Sequence, residues 1–587
     1  MDQKRLFLAI AISIVILLVF ETLMPHPAVH RPPPPQPAAT APKPPPAPGV
    51  AASAAAAPAA EAATAAASKT VPRVEISALR VEGSVSLVGA RIDDVVLRDF
   101  HETVDKSSPL VRLLEPRSTA KPYYVQFGWT AAGSSTAKVP GNDTLWTSSG
   151  GTLTESHPVT LSWNNGAGLT FEITLSIDNN YMFHVQQRVV NNTGAAVSLY
   201  PWARVRRDYT PQTSGYYLLH EGLIGVVNHR LEEMTYKKAK SEGEKTGGLS
   251  YQADDQGGWA GITDKYWLAA VVPDQASPVV ISFHHLVEDG TDRYQVDYAD
   301  RDPEHVAPGA TASTTSMMFA GAKEVHLLDH YESEYHIPLF SYAVDFGWFW
   351  FLTKPIFYAL DWLNTLLGNF GLAIMAFTLG VKLLFFPLAN KSYRSMSKMK
   401  LLGPKMTALR ERYKDDPAKL QSEMMGLYKA EKVNPASGCL PMVIQIPVFF
   451  SLYKDLYVTI EMRHAPFFGW IHDLSAIDPT NVFTLFGLIP WDPMHISPLL
   501  HLGAWPLIMG FTMYFQQRLN PPPPDPTQAK LFQFMPVIFT FMLARFPAGL
   551  VIYWSWNNLL TIGQQWLIMR QTRLTSPRLV RASTRRT

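Results

Sequence analysis

The most restrictive feature of the sequence is an apolar run from Phe370 to Ala389, FGLAIMAFTLGVKLLFFPLA. As a helix this run would be about 30 Å long, which is the thickness of the hydrocarbon core of a bilayer. Lys382 carries its one charge, and Thr378 lies one helical turn earlier on the same face. Because an ammonium at this depth costs about 2.5 to 3.5 kcal/mol, Lys382 either snorkels to the cytoplasmic boundary or lines a water-filled cavity. Its depth of about 13 Å favours the cavity, since a lysine stem covers only part of that distance.

Other apolar segments predict a chain that crosses a membrane six times. The predicted spans are residues 1–24, 370–389, 440–460, 498–515, 531–546 and 549–569. The first span follows Lys4 and Arg5 and is longer than the core of a usual signal peptide. No small-residue cleavage site follows it, so we expect a signal anchor that stays in the protein.

The distribution of basic residues predicts which side of the membrane each connecting segment occupies. Lysines and arginines outnumber acids in residues 390–436 and crowd the tail 570–587. By the positive-inside rule both segments are cytoplasmic, together with the loop 516–530 and both chain termini. Residues 71–340 and the loop 461–497 then lie on the outer side of the membrane.

Two consecutive segments between the first and second spans differ sharply in composition. Residues 25–70 are almost only Pro and Ala, which predicts a semi-extended tether. Residues 71–340 instead show period-two alternation, as in Leu169–Ile177, which resumes at Tyr181 after an Asn-Asn turn and predicts a hairpin. Repeated turn signals predict an antiparallel β-sandwich. With Cys439 as the one cysteine, no intramolecular disulfide can stabilise this domain.

The β region also contains a polar cluster that raises the question of catalysis. His284 and His285 are followed by Glu288 and Asp289, residue types that can bind a sugar or a metal ion. Polar residues beside a strand end are more often part of a solvated loop, so we expect no catalysis here.

Two segments outside the spans predict amphipathic helices. Residues 344–366 are rich in Trp, Phe and Tyr with interspersed charges, which is typical of a helix lying at the water–lipid boundary. Residues 390–436 predict a hairpin of two helices, the second capped by Asp416 before Pro417. This hairpin either fixes topology as a solvated element or docks to anionic lipid or ribosomal RNA through its methionines and basic face.

The last predicted span carries a stripe of polar residues. Tyr553, Asn557, Thr561 and Gln564 follow at spacings of four, four and three, so they share one helix face. Further polar positions widen the stripe: Ser555, Asn558 and Gln565. Any one of them can serve only to form a hydrogen bond with a neighbouring helix. Together with Thr378, Lys382 and Gln445 of other spans, they predict a shared hydrophilic cavity.

Four blocks of the sequence resemble the YidC family of membrane protein insertases. The blocks are MKLLGPKMTALRERYKDD at 399–416, EMMGLYKAEKVNPASGCLPMVIQIPVF at 423–449, APFFGWIHDLSAIDP at 465–479 and FMPVIFTFMLARFPAGLVIYW at 534–554. The resemblance implies a polytopic α-helical membrane protein of six transmembrane helices, five of them forming the insertase core. The anchor, tether and β region resemble the Gram-negative form, whose periplasmic all-β domain is a supersandwich similar to galactose mutarotases. The implied location is the bacterial inner membrane.

The resemblance also implies roles for individual residues. Lys382 falls where the family has a groove cation, usually arginine, and Thr378 matches the groove threonine. Tyr553 with Trp554 falls at an aromatic pair that contacts substrate, although the family pattern differs at the second position. A lysine keeps the charge of the arginine but loses its planar fork of donors.

Two further departures from the family pattern are visible. Arg545 occupies a position where an apolar aromatic residue is expected, and the loop from Asn481 to about Trp505 is longer than in the pattern. Neither departure removes the resemblance to the family.

The predicted function is insertion and folding of membrane proteins through a groove open to the cytoplasm and to lipid, alone or with the Sec translocon. Expected partners are nascent membrane proteins, the Sec translocon, the ribosome and anionic lipid. We expect no enzymatic activity, cofactor or metal, and Gly243–Thr246 lacks the upstream glycine of a nucleotide-binding loop. A membrane-anchored carbohydrate-active enzyme of the periplasm is one alternative. A channel or transporter is another, but paired intramembrane acids and an internal repeat are not apparent.

Overall fold

The protein is described by a computed structural model. The described residues are 71–133, 135, 137–214, 219–431, 433, 440–489, 496, 500–520 and 526–575. The predicted signal anchor, the tether and most of the basic tail lie outside them. The chain divides into two compact units, Met1–Asp345 and Phe346–Thr587.

The first unit consists mainly of antiparallel strands. In chain order the strands are β1 (Arg73–Ser77), β2 (Val81–Ser86), β3 (Arg91–His101), β4 (Leu110–Leu114), β5 (Tyr123–Ala131), β6 (Thr147–Ser148), β7 (Val159–Asn164), β8 (Leu169–Ile177), β9 (Met182–Asn191), β10 (Val197–Arg207), β11 (Gly222–Val227), β12 (Arg230–Thr235), β13 (Leu249–Gln256), β14 (Trp259–Thr263), β15 (Trp267–Val272), β16 (Pro278–Glu288), β17 (Thr291–Asp300), β18 (Glu304–Val306) and β19 (Thr311–Ala322). Among the described residues of this unit, two helices accompany the strands, α1 (Tyr236–Thr246) and α2 (Val325–Glu334).

These strands form two sheets. A ten-stranded sheet has the order β1-β2-β3-β5-β10-β17-β16-β13, with β4 on β3 and β18 on β10. A nine-stranded sheet has the order β12-β11-β14-β15-β19-β9-β8-β7-β6. The sheets pack face to face: the rings of Trp129 and Phe171, one from each sheet, lie 5.1 Å apart. Tyr123 also donates a hydrogen bond of 3.1 Å across the interface to the carbonyl of Ile262. The predicted antiparallel β-sandwich is therefore confirmed.

The alternating pattern of β8 explains its place in the core. Every second side chain from Leu169 to Ile177 is buried, as period-two alternation requires when one face packs on the core. The strand pairs with β9 through the predicted turn, in which Asn180 N–H donates to the Asp178 carboxylate at 2.8 Å. The predicted hairpin is confirmed.

The second unit is helical. Its helices are α3 (Trp350–Leu367), α4 (Phe370–Leu384), α5 (Phe386–Leu401), α6 (Gly403–Arg412), α7 (Pro417–Ala430), α8 (Leu440–Val458), α9 (Ala504–Leu519), α10 (Pro526–Leu543) and α11 (Ala548–Thr575). Gly368 ends α3 in the left-handed conformation, and Asn369 caps α4 by accepting from Leu372 N–H at 3.1 Å. The predicted interfacial segment 344–366 corresponds to α3, and the four later spans overlap α8 to α11.

The predicted span 370–389 is not one straight helix. It breaks at Phe385, and α4 and α5 meet at an angle of 69°. Pro387 stands in the first turn of α5, where its missing N–H costs nothing, whereas inside a continuous helix it would remove a hydrogen bond. Among the described residues no single helix has both the length and the hydropathy of a membrane span, while the bent pair α4 and α5 satisfies both together.

The segment predicted as a two-helix cytoplasmic hairpin contains most of α5, then α6 and α7. Asp416 caps α7 by accepting from Lys419 N–H at 3.0 Å. Packed side chains join the three helices in a small apolar cluster: Met399, Leu402, Met406, Met424, Leu427, Tyr428 and Val433. The hairpin therefore has a core of its own.

Candidate functional site

A cavity of about 50 Å³, lined by both polar and apolar side chains, lies among α4, α5, α8 and α11. Its lining residues are Thr378, Val381, Lys382, Phe385, Leu388, Ala389, Tyr393, Ile444, Gln445, Val448, Tyr553, Asn557 and Gln564. A space of this size holds about three or four water molecules. Six of the residues predicted to share a hydrophilic cavity thus surround one cavity: Thr378, Lys382, Gln445, Tyr553, Asn557 and Gln564.

Lys382 reaches across the cavity from α4 to α11. Its ammonium donates to the hydroxyl oxygen of Thr561 at 2.8 Å. The Thr561 hydroxyl itself donates to the carbonyl of Asn557 at 2.7 Å, so its oxygen is oriented to accept from the ammonium. Among the described residues the ammonium contacts no carboxylate. The cavity therefore contains a cation that is hydrogen-bonded but not neutralised.

The break between α4 and α5 explains how the ammonium is placed. Lys382 lies in the last turn of α4, where the partial negative charge of the helix C-terminus stabilises a cation. Thr378, one turn earlier, is buried and donates to the carbonyl of Ile374 at 2.6 Å. Its hydroxyl therefore lines the cavity without holding Lys382.

Gln445 and Tyr553 form a second polar bridge, between α8 and α11. The amide of Gln445 donates to the Tyr553 hydroxyl oxygen at 3.1 Å. This hydrogen bond connects α8, which forms one wall of the cavity, to the polar stripe of α11.

Two amide groups of the stripe that line the cavity have polar atoms without a partner among the described residues. Asn557 Oδ1 and Gln564 Nε2 are buried and make no hydrogen bond to any described residue. A buried polar atom that lacks a partner costs about 1 to 3 kcal/mol. Both side chains line the cavity, where water or a polar group of another molecule would satisfy them.

Two other predicted groove residues, Trp554 and Asn558, are absent from the lining of the cavity. The ring of Trp554 packs edge-on against Phe449 at 4.8 Å and joins an apolar cluster around Met509. Asn558 is buried and its amide donates to the hydroxyl of Thr512, on α9, at 3.2 Å. These contacts connect α11 to α8 and α9, on faces of α11 turned from the cavity.

Sequence reasoning missed one polar residue of the lining. Tyr393, on α5, contributes to the cavity wall, but its segment was assigned to the cytoplasmic hairpin. The chain continues as one helix from Phe386 to Leu401 across that predicted boundary. A single tyrosine in a basic segment offers no sequence signal of this kind.

The polar cluster of the β unit is engaged within the fold. His284 and His285 are buried in β16 rather than in the expected solvated loop. Each lies next to a carboxylate placed diagonally across the strand pair on β17: His285 Nε2 lies 2.9 Å from Asp292 Oδ1, and His284 Nε2 lies 3.3 Å from Asp297 Oδ2. The loop interpretation is wrong for the histidines because the strand extends past them. Among the described residues no cluster of His, Cys, Asp or Glu is arranged to hold a metal ion.

Comparison with known proteins covers almost the whole chain. Residues 73–359 match the family described as YidC periplasmic domain, and residues 362–575 match that described as 60Kd inner membrane protein. The membrane protein insertase YidC of Granulibacter bethesdensis is 62% identical over 586 residues, 99% of this chain and 100% of that protein. That of Acidiphilium cryptum is 60% identical over 587 residues, 97% of this chain and 98% of that protein.

A solved structure of an active YidC insertase with its first transmembrane domain resolved is 20% identical, with a TM-score of 0.34, and covers 84% of this chain and 91% of that one. The family assignment depends on the two sequence relatives. Their identity over nearly full length exceeds what a shared fold alone would require. The chain therefore belongs to the YidC family of bacterial inner membrane protein insertases.

Proposed function

We propose that this chain inserts client membrane proteins by admitting the polar flank of a nascent apolar segment into the cavity around Lys382. The observation that carries the proposal is a cation without a counter-carboxylate next to two partnerless amide atoms, of Asn557 and Gln564. A purely structural interface would satisfy these groups internally. An acidic or polar peptide would supply a negative charge to the ammonium and hydrogen-bond partners to the two amide atoms.

The energy for insertion comes from the client. Each CH₂ group that moves from water into lipid contributes about 0.8 kcal/mol. The opposing cost is the transfer of the polar flank, because unpaired peptide groups in hydrocarbon cost several kcal/mol each. Water and donors in the cavity lower that cost over part of the crossing. The step therefore needs no nucleotide and no covalent chemistry.

Lys382 has a defined part in this step. Thr561 holds the ammonium at the cavity while leaving donors free for a client carboxylate. A lysine offers a point charge, so it attracts an acidic flank without the two-pronged geometry of arginine. We expect the site to tolerate varied client sequences, since charge rather than shape attracts them.

The proposed topology places both termini, the hairpin and the tail in the cytoplasm and the β unit in the periplasm. The hairpin supports this through its composition, because its basic residues exceed its acids. Its own apolar core lets it act as a stable arm, and Met425 remains exposed on it. We propose that this arm and the basic tail meet the ribosome and anionic lipid, and that the Sec translocon shares some clients.

Charge variants of Lys382 test the proposal in reconstituted vesicles. A stalled single-span client with an acidic flank is translated in the presence of vesicles carrying the parent chain, Lys382→Arg, Lys382→Met or Lys382→Glu, and protease protection measures insertion. We expect Lys382→Arg to insert near the parent level, Lys382→Met less, and Lys382→Glu least, because like charges then meet at the cavity. A client with its flank acids changed to Asn is the matched control and should show a smaller spread. Equal insertion by all four proteins would refute the role of the charge.

A further inference from the structure

The loop between α8 and α9 presents an exposed apolar surface that the insertase cavity does not use. We name residues Val482–Ile489, VFTLFGLI, the apolar tip; the segment contains no charged residue. Its large side chains point to solvent: Phe483, Leu485, Phe486, Leu488 and Ile489, with Leu488 83% exposed. Soluble surfaces rarely expose so many adjacent apolar side chains without a partner.

The base of the loop is held by a buried carboxylate. Asp478 is almost fully buried and accepts from Trp470 Nε1 at 3.1 Å and from the Thr480 hydroxyl at 2.7 Å. Its second oxygen accepts from the backbone N–H of Trp505, in the first turn of α9, at 2.8 Å. The base of the loop is therefore fixed to the start of α9.

A second set of bonds brings the tip itself next to α9. The backbone N–H of Val482 donates to the carbonyl of Leu502 at 2.9 Å. The side chain of Asn481 donates to the carbonyl of Leu500 at 2.9 Å. The start of the tip therefore lies in space beside residues 500–502, which closely precede α9.

The backbone of the tip satisfies its own donors. Phe486 N–H donates to the carbonyl of Asn481 at 2.9 Å, and Ile489 N–H donates to the carbonyl of Thr484 at 3.0 Å. The Thr484 hydroxyl donates to the Asn481 carbonyl at 2.9 Å and accepts from Gly487 N–H at 3.1 Å. Internal satisfaction of this kind is what a segment needs in order to enter lipid, where no water replaces a missing partner.

This arrangement depends on an unusual backbone. Leu485 (φ 48, ψ 46) and Phe486 (φ 59, ψ 34) are both left-handed, which costs about 1 kcal/mol or more per non-glycine residue. The two residues close the turns that satisfy the donors, yet their side chains gain no burial within the described chain. Strain held in place by its surroundings indicates a function outside the fold itself.

The helix α9, whose first residues lie beside the start of the tip, also exposes apolar side chains. That helix exposes Ile508, Phe511 and Phe515 along its length. Its 16 residues rise about 24 Å, less than the roughly 30 Å hydrocarbon core. An apolar tip fixed beside its first turn extends the apolar surface past the end of the helix.

We propose that the apolar tip is a lipid anchor, inserted at the boundary between headgroups and acyl chains of the outer leaflet. The occupant is lipid rather than protein because the tip lacks the polar and charged groups that rim a protein interface. Aromatic and aliphatic side chains above a polar base match the gradient of that boundary. The anchor compensates the shortness of α9 and holds its outer end in the bilayer.

Site-directed spin labelling tests the proposal on the full chain. Cys439 is the one native cysteine, so a Cys439→Ser background carries single labels at Leu488→Cys or Ile489→Cys. His472→Cys, exposed in the same loop outside the tip, is the water-facing control. Phe511→Cys, exposed on α9, is the lipid-facing control. Each protein is reconstituted into phospholipid vesicles, and collision with oxygen and with a polar nickel complex is measured.

We expect both tip labels to collide with oxygen and to be about tenfold less accessible to the nickel complex than the His472 site, because a polar complex is excluded from hydrocarbon. Nickel accessibility equal to that at His472 would overturn the anchor. Low accessibility to both reagents would overturn it in favour of a protein partner or a second copy. The readout does not depend on client insertion, so failure of the proposed function and failure of the anchor are distinguishable.

Discussion

Removing the Thr561 hydroxyl tests whether the contact with Lys382 organises the cavity. Thr561→Val keeps the shape of the side chain but deletes the acceptor of the 2.8 Å hydrogen bond from Lys382. A hydrogen bond to a charged group contributes about 1.5 to 3 kcal/mol, and cavity water replaces part of it. We therefore expect the free energy of unfolding of the helical unit to fall by about 2 kcal/mol, or its Tm by about 4–8 °C.

Thr378→Val is the matched control. It removes a buried hydroxyl from the same cavity, but one that bonds within its own helix at 2.6 Å, so the expected loss is below about 0.5 kcal/mol. The assay is thermal unfolding of the full chain in detergent, followed by helical circular dichroism. Repeating Thr561→Val in a Lys382→Met background completes a double-mutant cycle, where we expect a clearly smaller loss, since only the contact of Thr561 with Tyr393 is then removed. Equal losses in both backgrounds, or from both threonines, would refute the coupling.

Three other predictions concern separate parts of the chain. Burial, together with Glu304 and Asp274, raises the pKa of Asp300 from 3.8 to about 7, so ionising this carboxyl costs more in the folded state and the stability of the β unit falls as pH rises between these values. Replacing the carboxyl in Asp300→Asn should therefore raise the free energy of unfolding by about 2 kcal/mol more at about pH 8 than at about pH 4, which thermal unfolding followed by the β-sheet circular dichroism signal measures. In β19, Gly321→Ala would bring a methyl group within 2.2 Å of the Tyr181 ring and should cost about 1 to 3 kcal/mol, whereas Gly194→Ala meets no atom within 4 Å and should be neutral in the same melt. Asp416→Ala removes the N-cap of α7 and should speed hydrogen exchange of its first amides, at a local cost of about 1 kcal/mol. Asp415→Ala, which changes a neighbouring acid that does not cap the helix, is the control, and unchanged exchange in Asp416→Ala would contradict the capping role.

Elements encoded by local patterns could be predicted from the sequence. The alternation in Leu169–Ile177 specified a strand with one buried face, and the Asp416-Pro417 pair specified the start of a helix. Both signals act within a few residues, so neighbours elsewhere in the chain do not alter them.

Features that depend on distant neighbours could not be predicted. Tyr553 and Trp554 are adjacent, so in a helix they point about 100° apart and cannot both face one cavity. Which of them lines it depends on where α8 and α9 pack, and no local pattern gives that. The partners of His284 and His285 likewise come from β17 across the strand pair.

The break at Phe385 was visible in principle, because Pro387 follows it. The apolar composition of residues 370–389 concealed the break, since hydropathy shows how many consecutive residues are apolar and not whether the helix axis stays straight. The bend is what places Lys382 in the last turn of α4, where the cavity opens beside α5.

The most direct test of the cavity as the client's route is cross-linking from α11. A photo-reactive residue is placed at Asn557, in the cavity wall, or at Leu559, which is exposed on the same helix, and a stalled single-span client is then translated. The account predicts strong cross-links from the client's polar flank to Asn557 and weak ones to Leu559. Insertion of the client without any cross-link at Asn557 would contradict it, and the polar stripe would then serve to hold the helices together.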